Sequence, residues 1–214
     1  SRLIVRSGRT VTPTMAGNRV LRRAHVVLRE IRDLQSEASE GTLPAGPLRL
    51  GTYPSALLGF VPELLRAWVA RYPHIEVFIE PGASAMLYGK ALSGDLDAAL
   101  IVHPLFELPK TCEWVLLREE PLVLVTPAAM NVEDPLKTLS VEPFIRYDRD
   151  TVAGKLIEGY LQRQNIQPHV RFELNGIHAI VRLVAEGLGV ALLPDSPPWG
   201  VDSAVKRWPL PPPA

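Results

Sequence analysis

Residues 48–62, Leu-Arg-Leu-Gly-Thr-Tyr-Pro-Ser-Ala-Leu-Leu-Gly-Phe-Val-Pro, lead from a short apolar strand at 48–53 into a helix whose apolar face spans 57–72. The alternation continues with a strand, a helix that ends at Gly94, and a further strand, at 74–80, 84–92 and 96–102. Strands that alternate with helices are typical of a mostly parallel sheet covered on both faces. This stretch therefore predicts an α/β fold.

The same order of elements recurs in the second half of the chain. Strands are predicted at 144–147, 170–174 and 190–193, with helices at 152–164 and 177–186. Strands at 114–117 and 122–125 join the two blocks. We therefore expect two Rossmann-like subdomains, at 47–125 and 126–208, with a ligand cleft between them where the carboxyl ends of the strands face each other.

The N-terminal part has its own pattern. Residues 3–12 alternate around Ser7-Gly8, which predicts a short hairpin within a segment at 1–13. Thr14 is a plausible N-cap for a long helix that spans 15–40. Glycines and prolines at 41–47 predict the end of that helix, so 14–46 is interpreted as a helix with a hinge.

One narrow apolar stripe runs along this helix. Its members are spaced by four and three residues in turn: Val20, Ala24, Val27, Ile31 and Leu34. Such a heptad pattern is typical of a helix that packs against a partner helix, so these residues are predicted to form a dimer interface. The alternative is that the stripe packs on the chain's own globular part.

The composition excludes some classes of protein. The chain has 214 residues with 23 basic and 23 acidic side chains, which argues against a general nucleic-acid coat protein but not against a local basic element. Cys112 is the single cysteine, so no intrachain disulfide is possible and a reducing compartment is favoured. Neither a targeting segment nor a membrane-spanning run is visible. These features predict a cytoplasmic protein without membrane contact.

Motifs for catalysis are weak. Gly187-Leu-Gly189 follows a helix and precedes a strand, the reverse of a dinucleotide-binding turn. The five histidines show no metal-ligand spacing, and no Gly-x-Ser-x-Gly elbow is present. We therefore predict no catalytic residues, no metal site and no cofactor.

Five stretches together resemble LysR-type transcriptional regulators in their order and spacing: residues 6–17, 48–62, 71–77, 94–100 and 183–194. The resemblance implies a fold like that of type 2 periplasmic binding proteins, preceded by a linker helix. It also implies a homodimer or homotetramer that binds a small-molecule effector and binds DNA through an N-terminal winged helix-turn-helix head. Residues 1–13 then correspond to the wing of that head, with Arg6 and Arg9 as DNA-binding residues.

The C-terminal segment departs from the pattern of these regulators. The segment 209–214 is interpreted as a tail, because it stops where the family continues with another strand and helix. Whether the tail completes the first subdomain is left open.

Candidate effector-binding residues follow the strands or begin the next helices, where free N–H groups favour anions. They are Thr52, Tyr53, Ser55, Ser84, Val102, His103, Arg146, Tyr147, Arg149, Asn175, Ile177 and His178. The resemblance favours Ser55, Ser84, Tyr147 and Ile177. The serines have an alternative as plain N-caps, His103 as a loop residue, and the two arginines as surface ion-pair partners. If an arginine faces the cleft, its fork suits a carboxylate, and an organic acid or an aromatic compound is the expected effector.

Two other functions share this architecture. A solute-binding protein of a transporter has the same bilobal fold, but is expected to carry an export signal and no heptad helix. An enzyme would need an acid–base or nucleophile constellation. The regulator interpretation also predicts that the effector favours one arrangement of the lobes and so changes the spacing of the DNA-binding heads.

Overall fold

The computed structural model describes residues 2–8, 10–37, 47–109, 112–196 and 198–212. The chain falls into two compact units, the first formed by 1–52 and 68–101 and the second by 53–67 and 102–214. Residues 102–125, which we assigned to the first subdomain, group with the second unit. Within the described ranges, no helix has the length and apolar character needed to cross a membrane.

The elements alternate along most of the chain. The strands are β1 (Ile4–Ser7), β2 (Thr10–Pro13), β3 (Leu48–Thr52), β4 (Val77–Pro81), β5 (Ala98–Leu100), β6 (Leu122–Pro127), β7 (Pro143–Tyr147), β8 (His169–Leu174), β9 (Ala191–Pro194) and β10 (Val205–Pro209). The helices are α1 (Met15–Glu37), α2 (Pro54–Leu58), α3 (Val61–Arg71), α4 (Ser84–Ser93), α5 (Pro135–Val141), α6 (Val152–Arg163) and α7 (Ile177–Ala185).

The predicted hairpin and long helix are confirmed. Strands β1 and β2 pair antiparallel, and the register places Ser7 opposite Thr10, so Ser7 belongs to the strand rather than to the turn. Thr14 caps α1 as predicted, because its Oγ1 accepts a hydrogen bond from the backbone N–H of Gly17 at 3.0 Å. The predicted end of the helix at Glu40 and the hinge at 41–46 lie outside the described residues.

A parallel sheet forms the centre of the first unit. Its order is β4-β3-β5, and both pairs are parallel. Helix α4 packs on this sheet through the fully buried Leu87. A Cβ at Gly51 would lie 2.6 Å from Cδ1 of Leu96 and 2.9 Å from Cδ2 of Leu87, so glycine is needed for this close approach.

The predicted helix at 57–72 is two helices. Helix α2 begins at Pro54, whose missing N–H costs nothing in the first turn, and it ends at Leu58, with Gly59 as the C-cap. Helix α3 then runs from Val61 to Arg71. The apolar periodicity across 57–72 hid the break, because residues on both sides of Gly59 are apolar.

The strand predicted at 114–117 is wrong. These residues lie outside every strand of the described chain, and all four side chains from Trp114 to Leu117 are exposed. An apolar run of strand length is not sufficient for a strand, because pairing with a neighbour is also required.

The second unit corrects the expectation of a mostly parallel sheet. Strands β7 and β8 are parallel, but β6 pairs antiparallel with both β9 and β10. A parallel bridge between Phe144 and Val190 links the two groups, with Ile145 N–H donating to the carbonyl of Val190 at 2.8 Å. The sheet is therefore mixed.

Helix α5 and strand β10 were not predicted. Asp134 caps α5 by accepting from the N–H groups of Leu136 and Lys137, and Pro135 occupies the first turn. This cap signal was present in the sequence. Strand β10 is held by its partner β6, which local sequence does not reveal.

Two hydrophobic clusters lie on opposite faces of this sheet. Alternation along β6 sends Val123 and Val125 to one cluster and Leu124 to the other. Helix α7 covers the first cluster through Ile180, and α6 covers the second through Ile157. Burial on both faces fixes the register of the strands and hence the position of their carboxyl ends.

Candidate functional site

The carboxyl ends of β7 and β8 bring together one group of predicted site residues. Tyr147 is paired in register with Leu174, and the N–H of Asp148 donates to the carbonyl of Leu174 at 3.1 Å. The ring of Tyr147 packs against both hydrophobic clusters. Burial, reinforced by the charge of Asp148, raises the pKa of its phenol, so Tyr147 is a neutral hydrogen-bonding group at physiological pH.

The start of α7 lies next to these strand ends. Asn175 and Gly176 connect β8 to the helix, and Gly176 has φ of 108°, which favours glycine. Ile177 is buried in the cluster under α7, His178 is half-buried and Asn175 is exposed. No side chain caps this helix. Its first N–H groups and the positive end of its dipole therefore favour an anion or a hydrogen-bond acceptor.

The predicted arginines are engaged in ion pairs. Arg149 Nε lies 3.0 Å from Oε1 of Glu173, and this hydrogen bond raises the pKa of Arg149. Arg146 Nε lies 3.9 Å from Oε2 of Glu158 on α6. The Nε atom of Arg146 is buried and has no hydrogen-bond partner among the described residues. The surface ion-pair alternative therefore describes Arg149, whereas the Arg146 side chain is only 16% exposed and is not at the surface.

Tyr53 and Ser55 lie at the start of α2 in the second unit. The residue in the N-cap position is Tyr53, so the N-cap alternative for Ser55 is wrong. Burial is the main cause that raises the pKa of Tyr53 to about 12, followed by the charge of Glu120. Ser55 is half-buried in the first turn of α2, which has no side-chain cap.

Glu120 is a neighbour of Tyr53 that sequence reasoning missed. Burial raises the pKa of Glu120, while Arg118, with Nε 3.1 Å from Oε1 of the carboxylate, lowers it. The guanidinium of Arg118 also lies 5.4 Å from the ring centroid of Phe60. The only signal in the sequence was the charged run at 118–120, which is more often a solvated loop.

In the first unit, Thr52 is the last residue of β3 and Ser84 is the first residue of α4. Thr52 ends β3 with a fully buried side chain, and its carbonyl accepts from the N–H of Gly82 at 3.1 Å. Ser84 is the first residue of α4, whose N-cap is Ala83, so the N-cap alternative is wrong here too. Helix α4 has no side-chain cap.

Val102 and His103 lie beyond β5, which ends at Leu100. Val102 is half-buried. His103 is exposed, and its ring contacts the edge of Trp114 with centroids 4.7 Å apart. Both residues are in loop conformation, as the alternative for His103 stated.

An open depression on the surface is lined by His103, Trp114 and Cys112, and Cys112 is a half-buried free thiol. Within the described ranges, no three His, Cys, Asp or Glu side chains are grouped as metal ligands.

The residues proposed for dimerisation lie on α1. Val20, Val27, Ile31 and Leu34 are 46–65% exposed, and Ala24 is half-buried. The apolar stripe is therefore largely uncovered in the monomer.

The two arginines predicted to bind DNA belong to the hairpin segment. Arg6 is exposed on β1 and donates from Nε to the carbonyl of Gly8 at 3.2 Å, whereas Arg9 lies outside the described residues.

Comparisons with known proteins agree on one family. Residues 41–214 match the family model described as LysR substrate binding domain. The chain is 29% identical over 196 residues to the HTH-type transcriptional regulator YofA of Bacillus velezensis, covering 92% of this chain and 66% of that protein. The chain thus spans just under two thirds of that relative.

Solved structures support the fold. HinK, a LysR family transcriptional regulator from Pseudomonas aeruginosa, superimposes with a TM-score of 0.69 at 22% identity, covering 95% of this chain and 71% of that chain. The effector binding domain of QuiR in complex with shikimate gives a TM-score of 0.64 at 20% identity, covering 79% and 82%. The predicted fold, like that of type 2 periplasmic binding proteins, is confirmed.

Proposed function

The chain belongs to the LysR substrate binding domain family, and from this premise we propose that it is the effector-sensing and dimerising part of a DNA-binding transcriptional regulator. In this proposal the chain has no catalytic activity, and its DNA-binding head is a winged helix-turn-helix outside residues 14–214. A cytoplasmic location follows, because the target is bacterial DNA.

One observation about helix caps carries the effector proposal. Helices α2, α4 and α7 each follow the carboxyl end of a strand, and none of the three has a side-chain cap. Helices α1, α5 and α6 also follow strands, but Thr14, Asp134 and Thr151 cap them, so the missing cap is what distinguishes α2, α4 and α7. A helix start without an internal cap leaves N–H donors for a bound ligand. The predicted residues Ser55, Ser84 and Ile177 all lie in these first turns.

The chemical class of effector follows from these donors. N–H groups at helix starts favour carboxylate oxygens, and the neutral phenols of Tyr53 and Tyr147 add hydrogen bonds to an acid or a hydroxyl group. Shikimate, the compound named with QuiR, is a carboxylate. We therefore propose a small organic acid, with or without an aromatic ring, as the effector. Arg146 and Arg149 would take part only after exchanging their ion-pair partners.

The exposed stripe of α1 supports dimerisation. A helix with a narrow apolar stripe is marginal in water and gains stability when a second copy covers the stripe. The heptad spacing of Val20, Val27, Ile31 and Leu34 fits a second copy of α1. A homodimer is the simplest assembly, and a homotetramer needs a further interface.

A thermal-shift screen of small organic acids tests the effector proposal. A ligand present at about 100 times its Kd stabilises the folded state by about 2.7 kcal/mol, which is measurable as a rise in Tm. Ser55→Ala and Tyr147→Phe are expected to weaken binding of the hit, measured by calorimetry, whereas Tyr72→Phe is the matched control away from the predicted site. Equal affinity for all variants would contradict the assigned residues.

The transporter alternative is less favoured. The relatives named above are described as transcriptional regulators. The exposed heptad stripe also has no role in a monomeric solute-binding protein. Specific retention of operator DNA by the longer protein would support the regulator, and transport of the bound solute would support the alternative.

A further inference from the structure

The charges of this neutral chain are strongly segregated. Residues 1–29 contain seven of the 23 basic residues and none of the 23 acidic residues. This segment therefore carries a formal charge of +7, and the remaining 185 residues carry −7. Although the net charge of the chain is zero, its N-terminal part is basic, which is typical of segments that bind polyanions.

Four of the seven arginines in residues 1–29 have side chains that the structure describes, and these four are available to a partner. Arg2, Arg6, Arg19 and Arg23 are all exposed. None of the four has an ion pair to another described residue. Arg19 and Arg23 are one turn apart, about 6 Å along the axis, so they lie on the same side of α1.

The hairpin and the helix are joined firmly. Thr14 donates from N to the carbonyl of Leu3 at 2.9 Å, and its Oγ1 also lies 2.8 Å from the carbonyl oxygen of Arg2. Gly17 is buried against the backbone of Leu3, where a Cβ would overlap the carbonyl oxygen. The hairpin therefore packs on the Gly17 side of the helix and leaves the side with Arg19 and Arg23 open.

We propose that α1 contributes directly to DNA binding, with Arg19 and Arg23 contacting backbone phosphates of the duplex in addition to the hairpin arginines. The partner is duplex DNA because exposed guanidinium groups, without an ion-pair partner among the described residues, match phosphate oxygens in charge and geometry. The inference deepens the proposed function, since it extends the DNA-binding surface from the hairpin into the dimerising helix.

The proposal is tested by measuring how the 214-residue chain binds a fluorescein-labelled duplex of arbitrary sequence at several salt concentrations. The logarithm of the binding constant falls with the logarithm of salt concentration by about 0.9 per neutralised phosphate. Arg19→Gln/Arg23→Gln is therefore expected to reduce the slope by about 1.8 per protomer. Arg163→Gln/Lys206→Gln removes the same charge from exposed positions in the second unit and is expected to leave the slope nearly unchanged.

The outcomes separate this inference from the proposed function. If Arg6→Gln lowers the slope and the α1 double variant does not, DNA contact is confined to the hairpin and the inference is wrong while the regulator proposal stands. An unmodified chain that does not bind duplex at low salt, or that prefers vesicles of anionic lipid, also overturns it. Circular dichroism and sedimentation of the double variant must match the parent, so that a change in slope reports lost contacts rather than an unfolded or dissociated helix.

Discussion

The phenol of Tyr160 donates a hydrogen bond to the carbonyl oxygen of Pro211 at 2.9 Å, which ties helix α6 to the segment after β10. Gln164, one turn further along, donates to the carbonyl of Pro212 at 3.3 Å. Trp208 and Leu210 pack against the hydrophobic cluster under α6, and the indole N–H of Trp208 donates to Thr126 at 3.0 Å. The segment that we interpreted as a tail thus begins as part of the core of the second unit.

Tyr160→Phe is expected to lower the free energy of unfolding by about 0.5–1.5 kcal/mol, because it removes the hydrogen bond and keeps the buried ring. Denaturant unfolding monitored by fluorescence measures this change. Tyr72→Phe is the control, since the hydroxyl of Tyr72 accepts from Arg71 at an exposed site and its loss should change stability by less than about 0.5 kcal/mol. Equal effects of the two variants would show that the contact with Pro211 contributes nothing specific.

Two glycine substitutions are expected to act in opposite directions. Gly17→Ala places a methyl group on the carbonyl of Leu3, so the hairpin must move and stability falls by about 1–3 kcal/mol. Gly89→Ala lies inside α4 with open space around it, and is expected to stabilise by about 0.5–1 kcal/mol. Thermal unfolding of both variants checks the signs. A neutral Gly17→Ala would mean that the hairpin does not pack on α1.

The high pKa of Tyr53 predicts that the free energy of unfolding depends on pH in the alkaline range. Because the folded-state pKa is raised from 10 to about 12, mainly by burial, the folded protein holds this proton more tightly than the unfolded chain. The resulting stability is fully present below pH 10 and is lost as the pH rises towards 12. Absorbance titration of the phenols should show one fewer late-titrating tyrosine in Tyr53→Phe. If the variant instead lost a phenol that titrates near 10, Tyr53 would lie in a solvated environment.

Ile31→Asp is expected to convert a dimer into a monomer, because a charge in the centre of the apolar stripe cannot be covered by a second copy of α1. Sedimentation velocity at several concentrations measures the change. Met15→Asp is the control, since Met15 is exposed at the helix start and lies off the stripe. A parent chain that is monomeric at high concentration, or an Ile31→Asp variant that stays dimeric, would remove the role assigned to the stripe.

The predicted site residues show where inference from the chain alone works and where it stops. The order of elements places Tyr147, Asn175 and Ile177 at adjacent strand ends, and the structure has them there. Arg149 was a candidate ligand for an acid, but Glu173, 24 residues away in sequence, pairs with it. Glu120 was missed because its environment comes from Tyr53 and Arg118 rather than from a recognisable motif.

Local sequence determined the alternation of strands and helices, the hairpin, the cap at Thr14 and the heptad stripe, because each depends on residues within a few positions of one another. Tertiary structure decided the antiparallel pairing of β6 with β9 and β10, the failure of 114–117 to form a strand, and the pairing of the arginines. These features depend on contacts between residues tens of positions apart. Burial and hydrogen bonding with such distant partners outweigh local preference, and no local pattern records them.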